Sequence, residues 1–177
     1  MKPKPDPHTS IVKNQNLEAS MQKRIKSLEG DQTVFLIDKE RGQYWAEVKQ
    51  TLDQAPSQQE YNRLLEFENR DLKIRERKHE CYSLFQRVLS QNPALAENAA
   101  YNPSESCVDF FSSNREELDN TQKGLTPEQR DRLEVKFLDA VAKDIRKHGP
   151  DSTYMKKMLG YADNATSFLS FSYCLAR

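Results

Sequence analysis

The chain has 177 residues, of which 36% are hydrophobic, and its 27 basic residues are balanced by 27 acidic ones. This length is typical of one domain that buries most of its apolar surface. A net charge of zero excludes the long-range positive field that draws strongly basic proteins to nucleic acid or to acidic membranes. The low apolar content predicts a thin core under a polar surface.

The first ten residues carry prolines at alternate positions, Pro3, Pro5 and Pro7. Each proline removes an amide donor and disfavours helix in the residue before it. We therefore predict an extended N-terminal tail over residues 1–16, followed by a single α-helical domain over residues 17–177. This N-terminal segment has no apolar stretch of the secretory type, and no run in the chain is long enough to span a bilayer. We expect a soluble protein without membrane insertion.

Two apolar stripes at helical spacing follow the tail. The first begins at Leu17 and predicts a helix that ends near Gly30, and the second follows Gly42 and predicts a helix that ends at Ala55-Pro56. Residues 31–41 fit either a short strand or a helical turn. We favour helix for them because both neighbouring segments are helical.

A long helix is predicted from Ser57 to Gln91. Ser57 and Glu60 have the spacing of a capping box, and Asn92-Pro93 ends the pattern. The middle of this helix, residues 70–80, reads RDLKIRERKHE. Because so few of these residues are apolar, we expect the middle to cross solvent as an exposed waist.

The second half of the chain begins irregularly, and only short helices are predicted over residues 93–100 and 106–111. Thr126 and Gln129 then form a second capping box, with Pro127 at the first helical position, and apolar residues step by four down to Ile145. A further helix begins near Ser152 or Thr153. Residues 166–177 fit a strand or a helical face, and we favour helix. The predicted fold class is all-α, an irregular multi-helix bundle with one long charged helix and an extended N-terminal tail.

Catalytic and metal-binding patterns are missing from the sequence. His79 and Cys81 are close in sequence, but residues two apart on a helix do not face each other and form no catalytic dyad. The other histidines, His8 and His148, stand alone, no CxxC pair occurs, and the glycines occur singly. We therefore predict no catalytic residue, cofactor or metal, and we expect a binding protein rather than an enzyme. The odd number of cysteines favours a reducing compartment, the cytoplasm.

Residues on the long helix are the candidates for partner binding. Its basic residues could contact phosphates or an acidic protein surface. Interleaved acids favour a self-compensated, solvated helix, and we predict that Asp71 pairs with Arg75 four residues later. Two apolar residues lie off the main apolar stripe of this helix, and we expect both to be exposed as one seam of a partner contact. The candidate residues are Phe67, Ile74, Arg70, Lys73, Arg75, Arg77 and Lys78.

From these features we expect a non-enzymatic helical protein–protein interaction module: an adaptor, a chaperone, or a regulatory or structural subunit of a larger assembly. This expectation depends on the exposed-looking long helix, the polar composition with a thin core, and the extended basic tail, which is suited to docking. The alternatives are a helical nucleic-acid-binding protein and an enzyme of unrecognised type that uses a cysteine.

Overall fold

Helices make up the secondary structure of the part of the chain that is described. The structure is a computed structural model, and it describes residues 11–30, 42–97 and 124–159. Within these ranges there is no β-strand, which confirms the all-α fold class. The predictions for residues 1–10, 31–41, 106–111 and 166–177 lie outside the described residues.

The helices of the described ranges are separated by short connections or by residues outside those ranges. In chain order they are α1 (Gln15–Glu29), α2 (Tyr44–Asp53), α3 (Gln58–Gln91), α4 (Ala94–Glu97), α5 (Pro127–His148) and α6 (Thr153–Leu159), with a 3-10 turn (Gly149–Asp151) between the last two. Each of these described helices is too short or too polar to span a membrane.

Both predicted capping residues begin their helices. At α3 the Ser57 hydroxyl accepts a hydrogen bond from the Glu60 amide at 3.1 Å, while the Glu60 carboxylate pairs with Arg63 instead of reaching back. At α5 the capping box is complete, because the Gln129 amide donates to Thr126 Oγ1 at 3.2 Å and the Thr126 amide donates to Gln129 Oε1 at 2.9 Å. The prediction of one continuous helix to Gln91 is confirmed.

An N-terminal core lies between α1, α2 and the first half of α3. Its most deeply buried side chains include Met21, Ile25 and Leu52, which are all 0% exposed, and Tyr61 at 1%. The predicted stripe of α1 therefore faces α2 and α3. The Glu18 carboxylate of α1 accepts from Lys49 of α2 at 2.8 Å, and Lys13, just before α1, pairs with Asp53 at the end of α2. The residue numbers run in opposite directions, so these two helices are antiparallel.

A C-terminal core lies between the second half of α3 and helices α5 and α6. Cys81, Phe85, Val141 and Met155 are all 0% exposed there, and Leu138 is 1% exposed. The long helix α3 thus serves both cores, the first near its beginning and the second near its end. A single helix with two apolar faces explains why its own sequence shows no single clean stripe.

Helices α3 and α5 run parallel. Arg70 near the middle of α3 contacts Asp131 in the second turn of α5, and Arg77 two turns later contacts Asp139. Residue numbers therefore rise together along the pair. As a consequence, the end of α3 and the beginning of α5 lie at opposite ends of their interface.

Residues that precede α1 are attached to α3. The Val12 amide donates to Gln58 Oε1 at 2.7 Å, and the Asn14 amide donates to the Tyr61 hydroxyl oxygen at 2.9 Å. Asn14 also caps α1 by accepting from the Leu17 amide. The division into a tail over residues 1–16 and a domain over residues 17–177 stays a prediction, but residues 11–14 are held on the three-helix core.

Candidate functional site

The charged middle of α3 lies between neighbouring helices. Arg75 is 8% exposed and Lys78 is 4% exposed, so the prediction of an exposed waist is wrong for these residues. The sequence suggested a solvated segment because it contains few apolar residues. Carboxylate partners allow these side chains to be buried as pairs, Lys78 with Glu134 of α5 and Arg75 with Asp71 of its own helix.

Ion pairs join this part of α3 to α5. Most of them place a base on α3 against an acid on α5. They are Arg70 Nε with Asp131 Oδ2 at 2.9 Å, Arg70 with Glu128 at 3.8 Å, Arg77 Nε with Asp139 Oδ1 at 2.8 Å, and Lys78 Nζ with Glu134 Oε1 at 3.5 Å. One pair, Glu80 with Arg146, has the opposite polarity. Ion pairs as well as apolar packing therefore hold α3 and α5 together.

Arg75 points toward α2 instead of α5. Its guanidinium lies 5.4 Å from the centre of the Tyr44 ring, a cation–π contact, and its Nε donates to Asp71 at 3.0 Å. The predicted pairing of Asp71 with Arg75 along the helix is confirmed. Lys73, by contrast, is exposed.

Phe67 and Ile74 have different environments although they are seven residues apart. Ile74 is 1% exposed and belongs to the buried cluster that contains Leu138 of α5, so the prediction that it is exposed is wrong. Phe67 is 47% exposed, as predicted. Positions seven apart share one helix face, so Phe67 lies on the α5-facing side of α3. Glu128, the second residue of α5, contacts Arg70, so the contact of α5 with α3 begins about one turn after Phe67.

Arg63 was missed as a candidate, although its spacing indicated it. Arg63, Arg70 and Arg77 recur every seven residues and lie along one edge of the α5-facing side. Arg70 and Arg77 bind carboxylates of α5, whereas Arg63 pairs with Glu60 of its own helix. We call this part of α3 the Phe67 surface and define it by the exposed residues Arg63 and Phe67 and by Leu64 and Arg70, which border them and are partly buried.

A small polar cavity of about 40 Å³ lies between α2 and α3. Its lining includes Tyr44, Glu68 and Asp71, and its volume suits one or two water molecules. The Tyr44 hydroxyl is buried and has no hydrogen-bond partner among the described residues, and burial raises the pKa of Tyr44. Among the described residues no group of three metal-ligating side chains converges, here or elsewhere.

Cys81 lacks the properties of a nucleophile. It is 0% exposed, and its Sγ contacts the Leu138 carbonyl oxygen at 3.2 Å. Burial, followed by the nearby Glu80 and Asp139 carboxylates, raises the pKa of Cys81 to about 12. Because the thiolate is the reactive form, this cysteine is inert at neutral pH.

A buried polar group at the N-terminal core was also missed. Glu18 is 6% exposed and accepts hydrogen bonds from the Tyr61 hydroxyl and from Lys49 Nζ. Burial and the hydrogen bond to Glu18 raise the pKa of Tyr61 to about 12. The sequence signal was available, since Glu18 shares the helix face of Met21 and Ile25. This group holds α1, α2 and α3 together.

Comparison with known proteins finds a relative that matches most of this chain. The chain is 47% identical over 150 residues to a protein of Arabidopsis thaliana whose name is "uncharacterized mitochondrial protein". The aligned part covers 85% of this chain and 52% of the relative, so the chain spans about half the length of the curated relative it matches. No protein-family model matches the chain, and no solved structure matches it.

Proposed function

We propose that this protein is a non-enzymatic helical interaction module that binds a partner protein through the Phe67 surface. One observation carries the proposal: the apolar and basic side of α3 that α5 covers continues past the start of α5, where Phe67 is 47% exposed. Large aromatic side chains and arginines are the residues most enriched at the centres of interfaces.

The alternative functions receive less support from the structure. The candidates for contacts with nucleic-acid phosphates are the basic residues of α3 from Arg70 to Lys78. Arg70, Arg77 and Lys78 are each paired with a carboxylate of α5, and Arg75 is paired with Asp71, whereas Lys73 is exposed. An arginine or lysine side chain that is already paired with a carboxylate gains little free energy by neutralising a nucleic-acid phosphate and releasing its counterion. A cysteine-dependent enzyme would need a reactive thiol, which Cys81 does not provide.

A reducing compartment is retained as part of the proposal. The cytoplasm expected from the cysteines and the mitochondrial matrix both satisfy this condition. The name of the Arabidopsis thaliana relative favours a mitochondrial location. Cell fractionation with an antibody against the full chain distinguishes the two compartments.

The binding proposal is tested by purifying the tagged full chain under gentle conditions. We expect one stoichiometric protein partner with the wild type and a loss of this partner with Phe67→Ala. Glu66→Ala is the matched control, because Glu66 is the exposed preceding residue and lies outside the Phe67 surface. A chain that elutes alone, or a partner that Phe67→Ala retains, would contradict the proposal.

A further inference from the structure

We propose that the occupant of the Phe67 surface is an amphipathic helix of a partner protein, with an apolar side chain on Phe67 and a carboxylate on Arg63. This inference rests on the proposed function and specifies the chemistry of the partner. Its basis is the contact that α3 already makes with α5 on the same side.

Helix α5 shows what this side of α3 binds. The positions seven and fourteen residues after Phe67 are Ile74 and Cys81, and both are buried in the cluster that contains Leu138 of α5. Phe67 continues this row by one heptad toward the start of α3. A helix that extends the line of α5 therefore places its apolar residues on Phe67.

The charges along the edge of this side predict an acidic partner. Arg70 and Arg77 each bind an aspartate of α5, at 2.9 Å and 2.8 Å. Arg63 occupies the equivalent position one heptad earlier. A partner that repeats the pattern of α5 presents an Asp or Glu to Arg63.

Arg63 can exchange its present partner at little cost. Its ion pair with Glu60 lies within one helix at the surface, where such pairs contribute little to stability. The Arg63 guanidinium holds the pKa of Glu60 below its usual value, so Glu60 stays charged at neutral pH. A partner carboxylate therefore binds Arg63 in place of Glu60, which remains charged in solvent.

Two synthetic helical peptides with identical apolar residues test this chemistry. One carries Glu at the positions that flank its apolar stripe, and the other carries Lys there. Binding to the full chain is measured by fluorescence anisotropy of the labelled peptides at low salt. We expect the Glu peptide to bind at least about tenfold more tightly than the Lys peptide, and its affinity to fall as salt screens the charges.

Variants of the full chain assign the effect to residues. Arg63→Glu should lower the affinity for the Glu peptide by about tenfold or more and raise that for the Lys peptide, because it reverses the charge at the contact. Lys73→Glu makes the same charge change at an exposed position of α3 outside the Phe67 surface and should leave both affinities unchanged. Phe67→Ala should weaken both peptides.

Each contrary outcome has a distinct meaning. If Phe67→Ala removes the cellular partner but neither peptide binds, or both bind equally, the interaction function stands and the acidic-helix inference is overturned. If sedimentation shows a dimer of the chain that Phe67→Ala dissociates, a second copy is the occupant and the inference is also overturned. If Phe67→Ala leaves the cellular partner bound, the proposed function itself fails.

Discussion

The Tyr61 hydroxyl donates a hydrogen bond to the Glu18 carboxylate and accepts one from the Asn14 amide. Glu18 and Tyr61 are 43 residues apart in sequence, and both are almost fully buried. One phenol thus joins α3 to α1 and to the residues before α1. A buried carboxylate is stable in this position because Lys49 and Tyr61 satisfy its two oxygens.

We expect Tyr61→Phe to lower the free energy of unfolding by about 1–3 kcal/mol. The substitution leaves the ring in place but removes one hydrogen bond from the buried Glu18 and one from the Asn14 amide. Urea denaturation followed by circular dichroism measures the change. An unchanged midpoint would show that the hydroxyl does not hold the three segments together.

Tyr44→Phe removes the same hydroxyl group as Tyr61→Phe, but we expect it not to lower the free energy of unfolding. The Tyr44 hydroxyl is buried, and no group in the described part of the chain hydrogen-bonds to it, so its removal should leave stability unchanged or increase it by up to about 1 kcal/mol. The same urea titration serves for both variants. A loss as large as that of Tyr61→Phe would mean that an ordered water in the cavity bonds to the Tyr44 hydroxyl.

We expect Ile74→Ala to destabilise the protein by about 2–5 kcal/mol, because it opens a cavity in the C-terminal core. Phe67→Ala should change stability by less than about 1 kcal/mol, because its side chain is half in solvent. Thermal and urea denaturation measure both. Equal losses would show that Phe67 is covered in solution, and the Phe67 surface would then not be available to a partner.

Stability should fall as the pH rises from about 9 to about 12. The pKa values of Cys81 and Tyr61 are both raised to about 12, from ordinary values of 9.0 and 10.0. The folded state therefore favours the neutral forms, and this contribution is complete below the ordinary values and is lost as the pH approaches 12. Urea midpoints across this range should fall less steeply above pH 10 for Tyr61→Phe than for the wild type.

Alkylation of Cys81 should require unfolding. At pH 8 the native protein should leave the Cys81 peptide unlabelled by iodoacetamide, whereas urea should expose it. Mass spectrometry of tryptic peptides separates Cys81 from the other cysteines. Lys73→Cys places an exposed thiol on the same helix as a positive control. Rapid labelling of native Cys81 would restore it as a candidate nucleophile.

Local signals predicted the helix beginnings well. Ser57 and Thr126 cap their helices through atoms three residues away, so a short window of sequence contains the whole interaction. The same holds for the pair of Asp71 and Arg75, which are four residues apart. For these features the sequence alone was sufficient.

The burial of Ile74 and Lys78 could not be predicted in the same way. Their partners on α5 lie more than fifty residues further along the chain. The local sequence of a charged helix does not show whether the helix faces water or another helix of opposite charge. Arg63, in contrast, could have been found from the sequence. Its seven-residue spacing to Arg70 and Arg77 was visible in the sequence, although only the contacts of α5 show which side of α3 this row occupies.

The parallel orientation of α3 and α5 also has a consequence for the order of folding. Helices α1, α2 and the first half of α3 follow one another as antiparallel neighbours, whereas Arg70 and Asp131 must close a loop of 61 residues before they meet. The entropy lost in closing a loop grows with its length, and non-local contacts slow folding. We therefore expect the N-terminal core to form first on the nascent chain, with α5 docking afterwards. During that interval the whole row from Phe67 to Phe85 is open to any helix that resembles α5.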